Sequence, residues 1–207
     1  MYLISQLVRL AGLFGVDVSF KLKIILNKHC FAICVIVLML MSCSQQINAK
    51  IRFNPNYNFQ QIKSYGLFSR SSSFAEIQNL TDATRNTVEM TIEQMFDQQG
   101  FVYQEVEQAD VIISYYLIDN NYQELKQYNN KVKYCLPCLR GGENYTTRPW
   151  LNIPGHLIID ILDGQSQSSV WRSVHPLQIQ GADNSQEKKT KMNQTIGLML
   201  NQFPNNI

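Results

Sequence analysis

The sequence predicts an α+β fold: a single two-layer sandwich whose antiparallel sheet of about four to five strands carries two helices on one face. Three observations predict it. Two segments, 81–100 and 185–204, carry apolar residues at helical spacing and end on a glycine and a proline. Two runs, Val111 to Ile118 and His156 to Asp163, are dense in β-branched and aromatic residues. Asp163-Gly164 then opens a polar turn before a third such run, Ser169 to Val174, so the pair reads as a hairpin. The element order is β-α-β-β-β-β-α, with no internal repeat and no second domain.

The first strand is expected over Ser64 to Ser69, between the turn-rich Asn54-Pro55-Asn56 and the run Ser71 to Ser73. Thr81 or Asp82 offers a helix N-cap, and Val88, Ile92, Met95 and Phe96 form an apolar stripe that Gly100 stops. That stripe is core packing and not a cofactor box. A short strand follows from Phe101 to Val106, then a turn at Gln108-Ala109-Asp110. Val111 to Ile118 is apolar or aromatic on both faces except at Ser114, which predicts a central strand covered on one side by helices. Asp119 to Pro154 reads as a long irregular connection rich in Asn, Gln and Tyr, the place to expect partner recognition. His156 to Asp163 is the clearest strand, and Pro176 marks the edge or end of its hairpin partner. Ser185 then caps a helix with the stripe Met192, Ile196, Met199, Leu200 and Phe203, stopped by Pro204.

The chain ahead of these elements reads as a targeting segment. Leu40-Met41-Ser42-Cys43 closes an apolar run that begins at Cys30, the pattern of a bacterial lipoprotein processing site with Cys43 as the lipid-bearing residue. The run from Cys30 to Met41 has 12 residues, short of the ~20 that a spanning helix needs. Lys21, Lys23 and Lys28 supply the positive region before it. Residues 1–20 precede this unit without belonging to it, so translation is expected to start later, at Leu22. Residues 1–42 are thus expected to be a signal segment, 43–50 a lipid-anchored tether and 51–207 the folded domain, and Ser44 favours export to the outer membrane. Of the 18 basic and 16 acidic residues, Arg9, the three leader lysines and Asp17 precede Cys43, which leaves 14 against 15 and a net charge of −1. The remainder shows one basic run, Lys188, Lys189 and Lys191, which reads as a solvated helix face, so no nucleic-acid partner is expected.

Four blocks of sequence share a pattern: Gln108 to Tyr115, Gly155 to Asp163, Val170-Trp171-Arg172, and the terminal Leu200-Asn201-Gln202-Phe203-Pro204. Together they resemble the bacterial lipoprotein family of domain of unknown function 4136, over nearly all of the chain after Cys43. The chain departs from that pattern at Ser173, where a Gly is usual after Trp-Arg, and in its cysteine-bearing insertion. The resemblance implies an envelope lipoprotein with a small α+β domain and supplies no catalytic residues.

Candidate chemistry is sparse. Cys135-Leu136-Pro137-Cys138 would meet an oxidising compartment after export and is expected to form a structural disulfide. Thiol–disulfide exchange is the alternative, but it calls for a low thiol pKa, and Leu139-Arg140-Gly141-Gly142 is no helix start. A metal half-site completed by His156 or His175 lacks a second Cys-x-x-Cys, so no metal and no cofactor are expected. His156 and Asp160 share a face of one strand but stand about 13 Å apart there, and Asp160 and Asp163 point to opposite faces, so neither pair is a catalytic couple. Tyr116, Tyr122, Tyr128 and Tyr134 recur every six residues and would line one face of an extended chain, where they are candidates for partner binding. The expectation is a non-enzymatic outer-membrane lipoprotein, held to the membrane through Cys43, whose periplasm-facing domain binds another envelope component, foremost a protein. The alternatives are a periplasmic thiol–disulfide oxidoreductase using Cys135 and Cys138, or a lipid- or glycan-binding lipoprotein.

Overall fold

The computed structural model describes residues 49–203 except 75, 79 and 142–153. The leader, Cys43 with its processing site, most of the tether, Gly142 and Pro204 lie outside the described residues. Ten elements are used below. Strands β1 (Lys50–Phe53) and β2 (Ser64–Leu67) precede helix α1 (Asp82–Gln98), followed by β3 (Val102–Tyr103) and β4 (Val111–Leu117). Helix α2 (Tyr122–Lys131), β5 (Arg140–Gly141), β6 (His156–Asp163), β7 (Ser169–Pro176) and α3 (Ser185–Leu200) complete the chain.

The seven strands form one sheet in the order β3-β2-β4-β6-β7-β1-β5. The sheet is mixed, which corrects the antiparallel expectation: β3 and β4 both run parallel to β2, and the other neighbours are antiparallel. Helix α1 is the reason. It carries the chain from the end of β2 back to the starting end, so β3 enters in the same direction, as in any crossover connection.

The expected two layers with helices on one face also need correction, because α2 covers the second face. Strand β4 alternates its side chains. Val111, Ile113 and Tyr115 join Ile159, Ile161, Val88, Ile92, Phe96 and the α3 stripe in one core. Ile112, Tyr116 and Ile118 join Ile158 and Leu162 with Leu125, Tyr128 and Val132 from α2 and its end in a second core. A strand apolar on both faces is therefore sandwiched, not covered on one side. In the first core Phe203 is a hub, with ring centroids of Phe59, Phe96, Phe101 and Trp171 at 6.0, 5.6, 6.1 and 5.6 Å.

Two strands were not expected. Lys50, read as tether, begins β1, which pairs along its length with β7, and Ala49 before it is already buried. Strand β5 is a two-residue edge on β1. The β6–β7 hairpin forms as the sequence predicts, and both expected amphipathic helices are present as α1 and α3. Gly164 at its turn is required by space, because a Cβ there would stand 2.1 Å from the Ala109 carbonyl oxygen.

Candidate functional site

The residues singled out from the sequence do not assemble into one site. Tyr116 and Tyr128 are fully buried and stacked, 4.8 Å between centroids at 24°, which removes them from any exposed aromatic row. Tyr122 is 61% exposed at the start of α2, and Tyr134 is half-buried with its ring 3.5 Å from the Arg172 guanidinium carbon. The correction has a simple cause. Residues 122–131 are helical, and six residues on a helix turn through about 240°, so the tyrosines point different ways.

Tyr128 instead belongs to a sealed polar network that the sequence reading missed. Asp160 on β6 and Arg172 on β7 face each other in the strand register, both side chains fully buried. Arg172 donates from Nε to Asp160 Oδ1 and from Nη2 to Oδ2, each at 2.8 Å, a forked ion pair. The Tyr128 hydroxyl donates to Asp160 Oδ2 at 2.8 Å, Ser169 Oγ donates to Oδ1 at 2.6 Å, and Arg172 Nη1 donates to Asn129 Oδ1 at 2.8 Å. Burial pushes the Tyr128 phenol well above its ordinary pKa, and the facing carboxylate adds to that. Burial opposes the Arg172 charge, but Asp160 outweighs it and the guanidinium pKa is raised. The network lies between α2 and the sheet with the Asp160 and Arg172 side chains fully buried, so its chemistry is that of a latch.

Cys135 and Cys138 are bonded to each other, Cα atoms 5.2 Å apart. Cys135 stands at the start of a three-residue 3-10 turn, Leu136–Cys138, and not at the N-terminus of an α-helix. Among the described residues no group of three or more His, Cys, Asp or Glu side chains could hold a metal ion.

A groove of about 990 Å³ among the described residues leaves room for a ligand of substance. It lies where the N-terminal halves of α1 and α3 meet one end of the sheet, at the end of β4, the start of β6 and the end of β7. Leu117, Pro176, Leu177, Ile179 and Met192 give it an apolar floor. Thr84, Thr87 and Ser185 bring hydroxyls from the two helices, and Lys188 and Lys189 bring ammonium groups from α3. His156 reaches the same wall. The helices present these side chains because both are capped at that end. Thr81 Oγ1 accepts from the Thr84 amide at 3.3 Å, and Asn184 and Glu187 form a reciprocal capping box at 2.9 Å each way. His156 lines this groove, as do Lys188 and Lys189 of the run that reads in sequence as a solvated helix face.

Residues 49–205 match the family described as Domain of unknown function (DUF4136). The chain belongs to the DUF4136 family. Three of the four sequence blocks that resemble the family lie in the central strands β4, β6 and β7, and Asp160 and Arg172 lie in two of them; the fourth begins at Leu200, the last residue of α3. Among solved structures the DUF4136 domain is similar to a DUF4136 family protein from Bacteroides thetaiotaomicron, at 14% identity and a TM-score of 0.45, covering 73% of this chain and 96% of that one. It is similar also to a PDZ domain protein from Parabacteroides distasonis, at 11% identity and a TM-score of 0.45, covering 77% of this chain but 36% of that one. A third is the PelC dodecamer from Paraburkholderia phytofirmans, at 9% identity and a TM-score of 0.28, covering 73% and 94%. No curated protein matches the chain.

Proposed function

We propose that this DUF4136 protein is an outer-membrane lipoprotein, acylated on Cys43, whose periplasm-facing domain is a non-catalytic module that binds another component of the envelope. The anchor rests on the sequence Leu40-Met41-Ser42-Cys43 at the end of a 12-residue apolar run. The binding role rests on one observation, the groove between α1, α3 and the sheet. Its floor is apolar and its polar groups are hydroxyls and ammonium ions, a set suited to holding a ligand by shape and charge.

The test is made on the full chain expressed in a Gram-negative cell. Intact-mass spectrometry is expected to show cleavage before Cys43 and a diacylglyceryl group on its sulfur. A photo-reactive amino acid at Ala83, in the groove, is expected to capture an envelope component, while the same group at Tyr122, exposed on α2, captures none. An unmodified Cys43 sinks the anchor, and equal capture at the two positions sinks the groove as the binding site.

A further inference from the structure

One end of the sheet combines three features. Strand β1 runs antiparallel to β7 with Lys50 opposite Val174, so the chain enters the domain at the sheet end where β7 finishes at Pro176 and the groove begins. The groove floor is apolar. Its charged lining, among the described residues, consists of Lys188 and Lys189, both exposed, although the chain after Cys43 carries a net −1. Of the acids beside it, Asp183 holds Lys191 at 2.8 Å and also faces the charge of Lys188, Glu187 closes the α3 capping box, and Asp82 stands in the first turn of α1. Because both helix starts are capped by their own side chains, the positive character of the groove is that of the two ammonium groups.

Chain length adds an orientation. From Cys43 to Ala49 the six residue steps span at most about 20 Å when fully extended. A compact domain of this length has a diameter of roughly 40 Å. An acyl group on Cys43 would therefore hold the Lys50 end of the sheet, and the groove with it, toward the bilayer.

We infer that the groove takes an acyl chain of an anionic phospholipid from the anchoring leaflet, with Lys188 and Lys189 receiving its phosphate. The inference rests on the lipid-anchored reading above and names the envelope component bound. A volume of about 990 Å³ stands at the upper end of the roughly 300–1,000 Å³ of small-molecule sites, and an apolar floor with a cationic rim matches an amphiphile with one negative head. Free phosphate or a soluble anion would leave the apolar floor unused.

The experiment uses the full chain, purified from membranes and reconstituted into phosphatidylethanolamine vesicles. The vesicles are doped with phosphatidylglycerol or phosphatidylcholine carrying a diazirine in the acyl chain. After illumination, adducts are mapped by peptide mass spectrometry, with the Cys43 peptide read in the same sample. Phosphatidylglycerol adducts are expected on peptides containing Thr87, Leu117, Ile179 and Met192, with few from phosphatidylcholine. The exposed pair Lys188→Glu with Lys189→Glu is expected to lower the yield about tenfold or more, and Ala83→Trp to lower it by obstruction. Far-ultraviolet circular dichroism shows that each variant is folded. Labelling confined to residues before Ala49, or labelling indifferent to all three substitutions, overturns the inference while leaving an acylated Cys43 intact. Groove adducts formed in mixed micelles with an unmodified Cys43 support the inference and refute the anchor. A protein crosslinked over these residues in cells, with no lipid adduct, overturns it in favour of protein docking.

Discussion

Asp160 and Arg172 are each fully buried, so neither charge has water to fall back on if the other is removed. Arg172→Met is expected to cost about 3–5 kcal/mol because it strands a carboxylate in the core, whereas Asp160→Leu combined with Arg172→Met costs less than the two single changes summed. Urea unfolding of the four proteins measures this, and additive costs would show that the pair is not coupled. The charges were visible in the sequence as Ile159-Asp160-Ile161 and Trp171-Arg172-Ser173, but their pairing was not. The register shifts between Ile161 and Leu162, so counting inward from Leu162 opposite Ser169 sets Asp160 against Trp171. Two other carboxylates pull in opposite directions in acid. Burial, then Glu89 and Asp97, raises the Glu93 pKa, so its ionised form disfavours the fold and that penalty is relieved as pH falls through its folded value. At Asp110 burial pushes upward, but the Lys63 and Ser64 amides and the Ser64 hydroxyl outweigh it and the pKa is lowered. Its contribution is present above the usual 3.8 and lost as pH falls through the folded value. Thermal unfolding between neutral and acid pH is thus expected to show a gain in stability on mild acidification and then a fall. Glu93→Gln should remove the gain and leave the fall; a gain that survives would assign it to another group.

At the scale of elements, what could be read was whatever repeated. Helices α1 and α3 announce themselves by long stripes, and β4 and β6 by length and branching. Helix α2 was missed because it buries only Leu125 and Tyr128 among Asn, Gln and Lys, too short a stripe to register as a period. A signal was present in Asn121 and Glu124, three apart. Asn121 Oδ1 accepts from the Gln123 and Glu124 amides at 3.1 and 3.4 Å, and its Nδ2 donates to Glu124 Oε1 at 2.7 Å. Asn121→Ala is expected to destabilise by about 1 kcal/mol, seen as a lower urea midpoint with an unchanged slope. Strand β1 is hard to read because it has four residues and its first, Lys50, closes the polar stretch expected as tether, and nothing local in β2 and β4 marks their pairing as parallel. The β6–β7 turn offers a sharper check. Gly164→Ala must displace the backbone carbonyl of Ala109 and is expected to cost about 1–3 kcal/mol. Gly181→Ala meets nothing within 4 Å and is expected to change stability little. Equal effects of the two alanines would show that the close approach at Gly164 does not exist.

Across the whole molecule, protection should follow how many sides of a strand are covered. Strands β4, β6 and β7 are paired on both edges and buried over almost every residue, with helices on both faces. The sheet ends in β3 and β5, two residues each, both exposed, which denies a neighbouring chain a long edge to pair with. Strand β1 is intermediate: it hydrogen-bonds to β7 along Lys50–Phe53, meets β5 only at Arg52 and Phe53, and is nowhere fully buried. Since the anchor is proposed to pull on its first residue, β1 is the strand that membrane tension would load. Native-state hydrogen exchange on the full chain in detergent is expected to show the β4, β6 and β7 amides opening only with global unfolding, and β1 opening at a lower free energy. If the β1 amides were as slow as those of β6, the domain would unfold as one unit from the point of attachment. The groove end of the sheet would then hold its shape under tension as firmly as the centre does.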